Sequence, residues 1–394
     1  MQITQNSTLH QTMTSWRHWL HQHPELSFQE KLTSDYIADI LKQHRIEIHR
    51  GLAGTGIVAT VHGTQPGKSI GLRADMDALP LQENNTFAHR SRHDGIMHAC
   101  GHDGHSSMLL GAAVYLQTHN DFAGTVHFIF QPAEEGDGGG RVMVEEGLFE
   151  KFPCTAVFGM HNWPGLPVGT FAVHDKEVMA AVDTIIIDIT GRGGHAAMPD
   201  QLIDPVLTAA QIICALQSIV SRNLSAVDTS QAAVISITAI NAGTASNVMP
   251  DQVQLKGTLR YFDNDIGNRI KIRIKEIVEH TCKAMGASGK LQIKQGYPAT
   301  INTPEHAKQC VAAATQLVGG ESVQRNLPPS MGAEDFAYLL NACDGAYIWI
   351  GNGAGQGSCM LHNDHYDFND DILPLGASYW IALVHSLLKH SSAG

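Results

Sequence analysis

A chain of 394 residues is longer than a single hydrophobic core usually supports, which favours two domains over one. Apolar residues make up 43% of the sequence, the level of an ordinary globular protein. The formal net charge of −12 argues against nucleic acid and anionic membrane surfaces as partners, although a small anionic substrate responds only to local charge.

The cysteines and the N-terminal stretch predict where the protein works. Seven cysteines is an odd number, and their irregular spacing suggests no disulfide framework, so a reducing compartment is favoured. The polar stretch 1–15 lacks the apolar core of a secretory signal. No apolar run approaches the roughly 20 residues that a membrane span needs. We therefore expect a cytoplasmic protein.

Predicted helices and strands alternate over the first 180 residues. Apolar residues at helical spacing predict the helices, and runs rich in β-branched and aromatic residues predict the strands. The predicted helices cover 8–23, 29–44, 105–118 and 141–147, and the predicted strands cover 56–62, 70–74, 125–130 and 156–160. This alternation predicts βαβ units and an α/β fold with a mostly parallel sheet flanked by helices.

A different pattern occupies residues 181–295. Its elements are a strand at 183–190, a helix at 205–222, strands at 232–241 and 252–262, a helix at 264–285 and a strand at 290–295. The order β-α-β-β-α-β is typical of a split-βαβ α+β domain. Because the pattern of the first 180 residues returns after residue 295, we predict one domain formed by 1–180 and 296–394, with 181–295 inserted into it.

The densest group of chemically active residues is the stretch His98-Ala99-Cys100-Gly101-His102-Asp103-Gly104-His105. Thiolate, imidazole and carboxylate are the groups that bind borderline-soft divalent metals. The two glycines let the backbone turn tightly, so that neighbouring side chains can converge. The alternative interpretation is a histidine-rich surface loop with one buried cysteine.

Further polar residues follow the predicted strands of the first part. They are Asp75, Asp77, Glu134, Glu135 and His161. Carboxyl ends of parallel strands share one edge of the sheet, and ligands bind at that edge. His362 also follows a predicted strand, 346–350, at the far end of the glycine-rich loop Gly351–Gly357. We therefore expect these segments to face the stretch around Cys100.

The candidate metal ligands are Cys100, His102, Glu135, His161 and His362. Five ligands exceed one closed tetrahedral site, so two metal ions that share a bridging ligand fit better. Each ligand has a plainer alternative: a small buried apolar cysteine, a hydrogen-bonded histidine at a strand end, or a solvated acidic turn.

The adjacent carboxylates Glu134 and Glu135 need a separate argument. Consecutive residues of an extended chain point in opposite directions, so the two side chains are not expected to do the same work. One can bind metal while the other faces the reacting bond.

The sequence resembles the metal-dependent amidohydrolases of the aminoacylase and metallo-carboxypeptidase family. Within that family it is most similar to the branch of hippurate hydrolases, N-acyl-amino-acid amidohydrolases and auxin-conjugate hydrolases. The matching motifs are collinear and span nearly the whole chain. They are His21-Gln22-His23-Pro24-Glu25, Arg73-Ala74-Asp75-Met76-Asp77-Ala78-Leu79-Pro80, His98-Ala99-Cys100-Gly101-His102-Asp103, Gln131-Pro132-Ala133-Glu134-Glu135, Gly159-Met160-His161, Gly193-Gly194-His195-Ala196-Ala197, Ala245-Ser246-Asn247-Val248-Met249-Pro250 and Gly332-Ala333-Glu334-Asp335-Phe336.

This resemblance implies a role for individual residues. The metal ligands are Cys100, His102, Glu135, His161 and His362; Glu134 is the general base; Asp77 orients a ligand; His195 steadies the oxyanion in a partner's site; and Asn247, Arg260 and Gly332 contact substrate. The inserted domain becomes a lid that also forms a homodimer interface. One departure is visible, since many relatives carry a metal-binding histidine at the position of Asp75.

The activity that the resemblance implies is hydrolysis of the amide bond of N-acyl amino acids, with two divalent ions of zinc, manganese, cobalt or nickel. A metallo-dipeptidase or carboxypeptidase using the same metals is the alternative enzyme. A protein that binds metal without catalysis is a third hypothesis. The sequence leaves the metal, the acyl group and the amino acid open.

Overall fold

The computed structural model describes residues 2–136, 138–225, 227–228, 231–354 and 359–390. Part of the glycine-rich loop Gly351–Gly357, which is expected ahead of His362, lies outside these residues.

Ten α-helices and sixteen strands are assigned within the described residues. The helices are α1 (Thr8–Gln22), α2 (Lys31–Gln43), α3 (His102–Thr118), α4 (Gly139–Glu145), α5 (Leu148–Lys151), α6 (Pro205–Ser218), α7 (Asn264–Ala284), α8 (Pro304–Val318), α9 (Phe336–Ala342) and α10 (Leu373–Leu387). The strands are β1 (Glu47–Leu52), β2 (Gly56–His62), β3 (Gln65–Asp75), β4 (Ala123–Gln131), β5 (Ala156–Pro164), β6 (Phe171–Ala172), β7 (Glu177–Met179), β8 (Ala181–Thr190), β9 (Gly194–His195), β10 (Ala233–Asn241), β11 (Val248–Met249), β12 (Gln252–Tyr261), β13 (Ser288–Gln295), β14 (Thr300–Ile301), β15 (Val323–Gln324) and β16 (Gly345–Gly353).

The chain divides into two compact units. The first unit comprises Met1–Val178, Ile301–Pro328 and Asp335–Gly394, and the second comprises Met179–Thr300 and Pro329–Glu334. The boundaries expected from the sequence follow residues 180 and 295. The short segment 329–334 groups with the second unit, which the sequence does not anticipate because no change of composition marks that segment.

The first unit is built on an eight-stranded sheet of order β1-β2-β4-β3-β5-β16-β6-β15. The four central strands β4, β3, β5 and β16 run parallel to one another. Apart from the first five residues of β3, their residues are buried almost throughout, as expected for strands covered by helices on both faces. The register pairs Asp75 with Gln131 and His161 with Trp349, so the carboxyl ends of these strands lie at one edge.

The second unit has the element order β8-α6-β10-β12-α7-β13. Its four strands form an antiparallel sheet of order β10-β12-β8-β13. Buried and exposed residues alternate along β8, so one face of that sheet carries the core and the other does not. Together the two units confirm the predicted fold class, a helix-flanked, largely parallel sheet with an inserted α+β domain.

Three strands of the large sheet were not predicted. β1 is an edge strand whose residues are mostly exposed, so it lacks the apolar alternation that marks a strand in the sequence. β6 and β15 contain only two residues each, which is too short for any pattern.

One helical stretch is more apolar than the sequence pattern suggested. Pro205–Asn223, which is α6 continued by a turn of π-helix, is long and apolar enough to cross a membrane when judged by length and composition alone. Gln211, Gln217 and Arg222 interrupt this stretch, so it is not the continuous apolar run of about 20 residues that the sequence was expected to lack. A core helix of a soluble protein passes the same test. Ile212 and Leu216 of this helix are fully buried in the core of the second unit.

A buried ionic network attaches α1 to the N-terminus of α3 in the first unit. Arg17 binds both carboxylate oxygens of Asp370 at 2.8 and 2.9 Å and Asp367 at 2.7 Å. One turn further along α1, His21 contacts Asp103 through Nδ1 at 2.8 Å and Glu83 through Nε2 at 3.3 Å. Arg17 and His21 are both completely buried.

The stability of this network should depend on pH through His21. Burial alone lowers the pKa of His21, but Asp103 and Glu83 outweigh burial and raise it to about 9. Because the folded-state pKa lies above the ordinary 6.5, the stabilisation is fully present below about pH 6.5 and is lost as the pH rises through about 9. We expect His21→Gln to destabilise the protein by about 3 kcal/mol near pH 6 and by clearly less near pH 9.5, as measured by thermal unfolding.

The matched control is His18→Gln, on the same helix. His18 also pairs with a carboxylate, Asp370, but its side chain is 34% exposed, so its loss should cost at most about 1 kcal/mol. An equal loss of stability for His21→Gln at both pH values would contradict this account.

Candidate metal centre

The predicted ligands of the first unit converge at the carboxyl edge of the large sheet. Cys100 Sγ lies 3.4 Å from His161 Nε2. In each of three overlapping groups, one donor atom per residue lies within 4.8 Å of the others. The groups are Cys100, His102 and His161; Cys100, Glu135 and His362; and His102, Glu134 and Glu135.

The turn between Cys100 and His102 requires glycine. Gly101 precedes α3 with φ 97°, in the left-handed region. A Cβ atom at this position would meet Asn162 Oδ1 at 2.3 Å and the Tyr366 hydroxyl at 2.7 Å. The close approach to these two side chains therefore excludes other residues and places Cys100 and His102 on either side of one turn.

Hydrogen bonds fix which nitrogen of His102 and His161 faces the centre. His102 Nδ1 contacts the backbone carbonyl of Asp77 at 3.0 Å and its carboxylate at 3.1 Å, so this nitrogen must donate. His161 Nδ1 likewise contacts the carbonyl oxygen of Asn162 at 2.7 Å. Nε2 of each ring is left to face the centre, which is how protein surroundings usually orient metal-binding histidines.

Glu135 is positioned by its own backbone and lies between two histidines. Its N–H donates to Asp77 Oδ2 at 2.9 Å. Its Oε1 lies 3.3 Å from His362 Nε2 and 3.9 Å from His102 Nε2. The N–H of His362 donates to the carbonyl of Ala99 at 2.7 Å, which attaches the segment carrying His362 to the stretch around Cys100.

Glu134 departs from the expectation of an extended chain. The structure has a turn at residues 134–136, and Ala133 before it adopts φ 56°. The chain is not extended here, so carboxylate oxygens of Glu134 and Glu135 converge on His102 instead of pointing in opposite directions. Glu134 Oε1 accepts the backbone N–H of Asp335 at 3.3 Å.

The electrostatics of the centre favour a cation. Burial raises the pKa of the Cys100 thiol well above its usual range, and the charges of the two adjacent glutamates and Asp75 raise it further. Burial alone lowers the pKa of His102, but Asp75, Asp77 and Glu135 outweigh it and raise the pKa to about 10. Burial and then His105 lower the pKa of His161 well below its usual value, so this imidazole is neutral. The carboxylates therefore create a negative potential around Cys100, His102 and His161, whose own side chains are neutral or protonated.

Asp75, the one departure from the family motif, is bound by other side chains of this chain. One carboxylate oxygen accepts from Arg73 Nη1 at 2.8 Å and the other contacts His105 Nδ1 at 2.6 Å. His105 Nε2 in turn contacts Asn162. Both residues are therefore occupied by protein partners, although Asp75, His102 and His105 also offer donor atoms within 4.8 Å.

Asp77 was expected to orient a ligand, but sequence reasoning assigned no role to Arg73 and Asp335, which also support the centre. Arg73 is 1% exposed, and it also donates to Asp335 at 2.9 Å and to Gln131 at 2.8 Å. Arg73 and Asp335 lie within the motifs that carry the family resemblance. A charged residue inside an otherwise apolar strand was the available signal.

The other predicted site residues lie in the second unit. His195 in β9 pairs with Val248 in β11, and the N–H of Ala196 donates to the carbonyl of Asn247 at 3.1 Å, so His195 and Asn247 are neighbours. Arg260 Nη1 donates to the carbonyl of Met331 at 2.6 Å, next to Gly332. Burial lowers the pKa of Arg260.

The residues of the first unit fit divalent metal ions. His102 Nε2 and Glu135 Oε1 are buried without a hydrogen-bond partner among the described residues, which is costly unless something else binds them. One thiol, three imidazoles and a carboxylate form a donor set suited to zinc, manganese, cobalt or nickel.

Comparison with known proteins gives a consistent result. The sequence profile of peptidase family M20/M25/M40 matches residues 71–386. The hippurate hydrolase of Campylobacter jejuni is 40% identical over 377 residues, covering 95% of this chain and 96% of that protein. The N-acetylcysteine deacetylase of Bacillus subtilis is 38% identical, covering 98% and 99%.

A solved structure agrees over the same length. The Bacillus subtilis YXEP protein, described as a dinuclear metal-binding peptidase of the M20 family, superposes with a TM-score of 0.85 at 34% identity, covering 96% of this chain and 98% of that one. The resemblance drawn from the motifs is thus confirmed, and the chain belongs to peptidase family M20/M25/M40 as a metal-dependent amide hydrolase.

Proposed function

We propose that this enzyme hydrolyses the amide bond of N-acyl amino acids, of the hippurate or N-acetyl type, to a carboxylic acid and a free amino acid. The observation that carries the proposal is that Glu134 and five potential metal ligands bring their donor atoms together in overlapping groups. The names of the relatives support the substrate class, because hippurate hydrolase and N-acetylcysteine deacetylase both remove an acyl group from an amino acid.

The proposed cofactor is a pair of divalent ions held by Cys100, His102, Glu135, His161 and His362. When bound, such ions supply Lewis-acid activation of water and of the amide carbonyl. The proposal of two ions is supported by five ligands with overlapping groups, and by the similarity to a protein described as dinuclear.

The residues of the chain then move the proton. Glu134 accepts a proton from water as the water oxygen bonds to the amide carbon. It returns that proton to the nitrogen as the carbon–nitrogen bond breaks, so that one group serves as base and then as acid. Asp335 holds Glu134 through its backbone N–H, and Asp77 holds His102 and Glu135.

The second unit is proposed to act as a lid and as the interface of a homodimer. His195 would steady the oxyanion in the partner's site, and Asn247, Arg260 and Gly332 would contact substrate. The proposed location is cytoplasmic, which is supported by seven cysteines that are all free. The acidic net charge supports a small-molecule substrate instead of nucleic acid or an anionic membrane.

A metallo-dipeptidase or carboxypeptidase is the second candidate. The similarity to a protein described as a peptidase favours it, because an N-acyl amino acid and a dipeptide differ only in the group attached to the acyl carbon.

A substrate panel tests the function. We expect the protein loaded with zinc or manganese to hydrolyse hippurate or N-acetyl amino acids faster than free dipeptides, as measured by release of free amino acid. Glu134→Gln should keep its metal and lose turnover about 10²–10⁴-fold, because it cannot accept the proton.

The outcomes of this panel separate the hypotheses. Hydrolysis of dipeptides alone would favour the peptidase, and bound metal without any hydrolysis would favour a non-catalytic metal protein. Normal turnover by Glu134→Gln would remove Glu134 as the base.

Metal binding should release protons. Around pH 7 the thiol of Cys100 and the ring of His102 are both protonated, since the pKa of the first lies well above its usual range and that of the second is about 10. Because metal displaces these protons, titration calorimetry in buffers of different ionisation enthalpy should show release of about two protons. Cys100→Ser should release about one fewer. Equal heats in all buffers would contradict the assignment of these two ligands.

Mixed variants test the homodimer. His195→Ala alone should lose about a hundredfold in turnover, which is the typical effect of one oxyanion donor. If His195 acts in the partner's site, random mixing with Glu134→Gln should restore about a quarter of the wild-type rate per chain, because half of the dimers then contain one complete site. A mixture that stays at the level of the separate variants would exclude action in the partner's site.

A further inference from the structure

A buried carboxylate with no part in the proposed chemistry lies behind the turn that carries both active glutamates. Glu30 is fully buried at the start of α2. Its Oε1 accepts the backbone N–H of Ala133 at 2.8 Å and that of Phe28 at 3.0 Å. Its Oε2 accepts the hydroxyl of Thr55 at 2.8 Å.

The two backbone groups that Glu30 binds belong to unusual conformations. Ala133 has φ 56° and Phe28 has φ 60°, which residues with a side chain rarely adopt unless surrounding contacts hold them. Ala133 immediately precedes Glu134 and Glu135. Its backbone conformation therefore decides where both carboxylates point.

The segment that carries Glu30 also contacts the other side of the turn. The Ser27 hydroxyl donates to Asp77 Oδ2 at 2.9 Å, and the same oxygen accepts the N–H of Glu135 at 2.9 Å. The turn is thus held at Ala133 by Glu30 directly and at Glu135 through Asp77, to which Ser27 is bound.

No cation of the described residues pairs with Glu30 at salt-bridge distance, so its bonds are to neutral donors. Burial, followed by the negative charge of Asp77, raises its pKa to about 7 against the opposing effect of these hydrogen bonds. The acidic group fixes the backbone geometry at Ala133. An apolar residue of equal size would leave the Ala133 N–H buried and unpaired.

We infer that Glu30 is a positioning residue for the amide-hydrolase reaction, which holds the left-handed turn at Ala133 and thereby aims Glu134 and Glu135 at the centre. This inference rests on the proposed role of Glu134 as general base. Within the described part of the chain, the carboxylate of Glu30 bonds to Phe28, Thr55 and Ala133 and to no side chain of the proposed metal ligands.

Two substitutions of Glu30 separate the effect of side-chain length from the effect of charge. Glu30→Asp keeps the charge but is one methylene too short to keep its bond to Ala133, whereas Glu30→Gln keeps an oxygen at the right distance and loses the charge. We expect Glu30→Asp to lower kcat about 10- to 100-fold with KM changed less than about twofold, because misplacement of a reacting group by about 1 Å has effects of this size. Glu30→Gln should stay within about threefold of wild type, and both should keep their metal.

A matched control lies elsewhere in the first unit. Glu146 Oε2 accepts the N–H of Ala53 at 2.7 Å, and Ala53 is also left-handed with φ 50°. Glu146→Asp should therefore leave kcat unchanged, although the chemistry of the bond is the same.

A second background tests whether the effect passes through Ala133. Glycine adopts positive φ without cost, so Ala133→Gly should make Glu30→Asp less harmful and restore at least about threefold in kcat. Hydrogen exchange of the peptide 128–135 should be faster in Glu30→Asp than in wild type, and this readout needs no activity.

The outcomes are distinct from those of the proposed function. If wild type hydrolyses the panel, then unchanged kcat and exchange in Glu30→Asp overturn the inference alone, as does a larger loss for Glu30→Gln than for Glu30→Asp. If wild type hydrolyses nothing, the proposed function fails, and the exchange measurement still decides whether Glu30 holds the turn. If Glu30→Asp folds poorly, the comparison is made in the Ala133→Gly background. There, the same kcat with and without Glu30→Asp supports the inference, and a full loss of kcat on adding Glu30→Asp overturns it.

Discussion

The centre depends on keeping several carboxylates close together in a buried space. Like charges at such distances repel, and each loses its hydration, so the arrangement is unfavourable unless other groups compensate it. Arg73 supplies one fixed positive charge, between Asp75 and Asp335. Backbone N–H groups at Asp335 and Glu135 supply partial positive charge without occupying space. The negative charge that these groups leave uncompensated faces the ligand atoms. This explains why the fold that buries the carboxylates requires a cation at the centre.

The parallel sheet brings the ligands near one another, but the turns after its strands give them their directions. Four positions at or close to the ligands have positive φ: Gly101, Ala133, Gly136 and His362. The first and the third are glycines. The other two keep a conformation that costs free energy, and each is held by a specific bond, Ala133 to Glu30 and His362 to Ala99. Strain held in this way at a site is a recurring feature of pre-organised centres.

The sequence predicted those features of the fold and of the candidate site that depend on local pattern. The apolar periodicities gave most helices and strands, and strand ends pointed to one edge because parallel topology leaves no other arrangement. Features that exist only through tertiary contact were missed. The turn at Glu134 depends on Glu30, about a hundred residues earlier in the chain, so treating residues 134–135 as extended led to the wrong directions for their side chains. The partners of Asp75 were equally invisible, because nothing in a linear pattern tells a charged residue bound by Arg73 from one that binds metal.

The ligands differ in how firmly the fold holds them. The N-terminus of α3 is fixed on one side by the close contact of Gly101 with Asn162, and on the other by Asp103, which pairs with His21. His102 lies between these two anchors and is 1% exposed. By contrast, the side chain of His362 is 53% exposed, and His362 is joined to the rest of the centre by its backbone bond to Ala99 and its contact with Glu135. The fold therefore holds the ligands on the side of α3 more firmly than the half-exposed ligand His362.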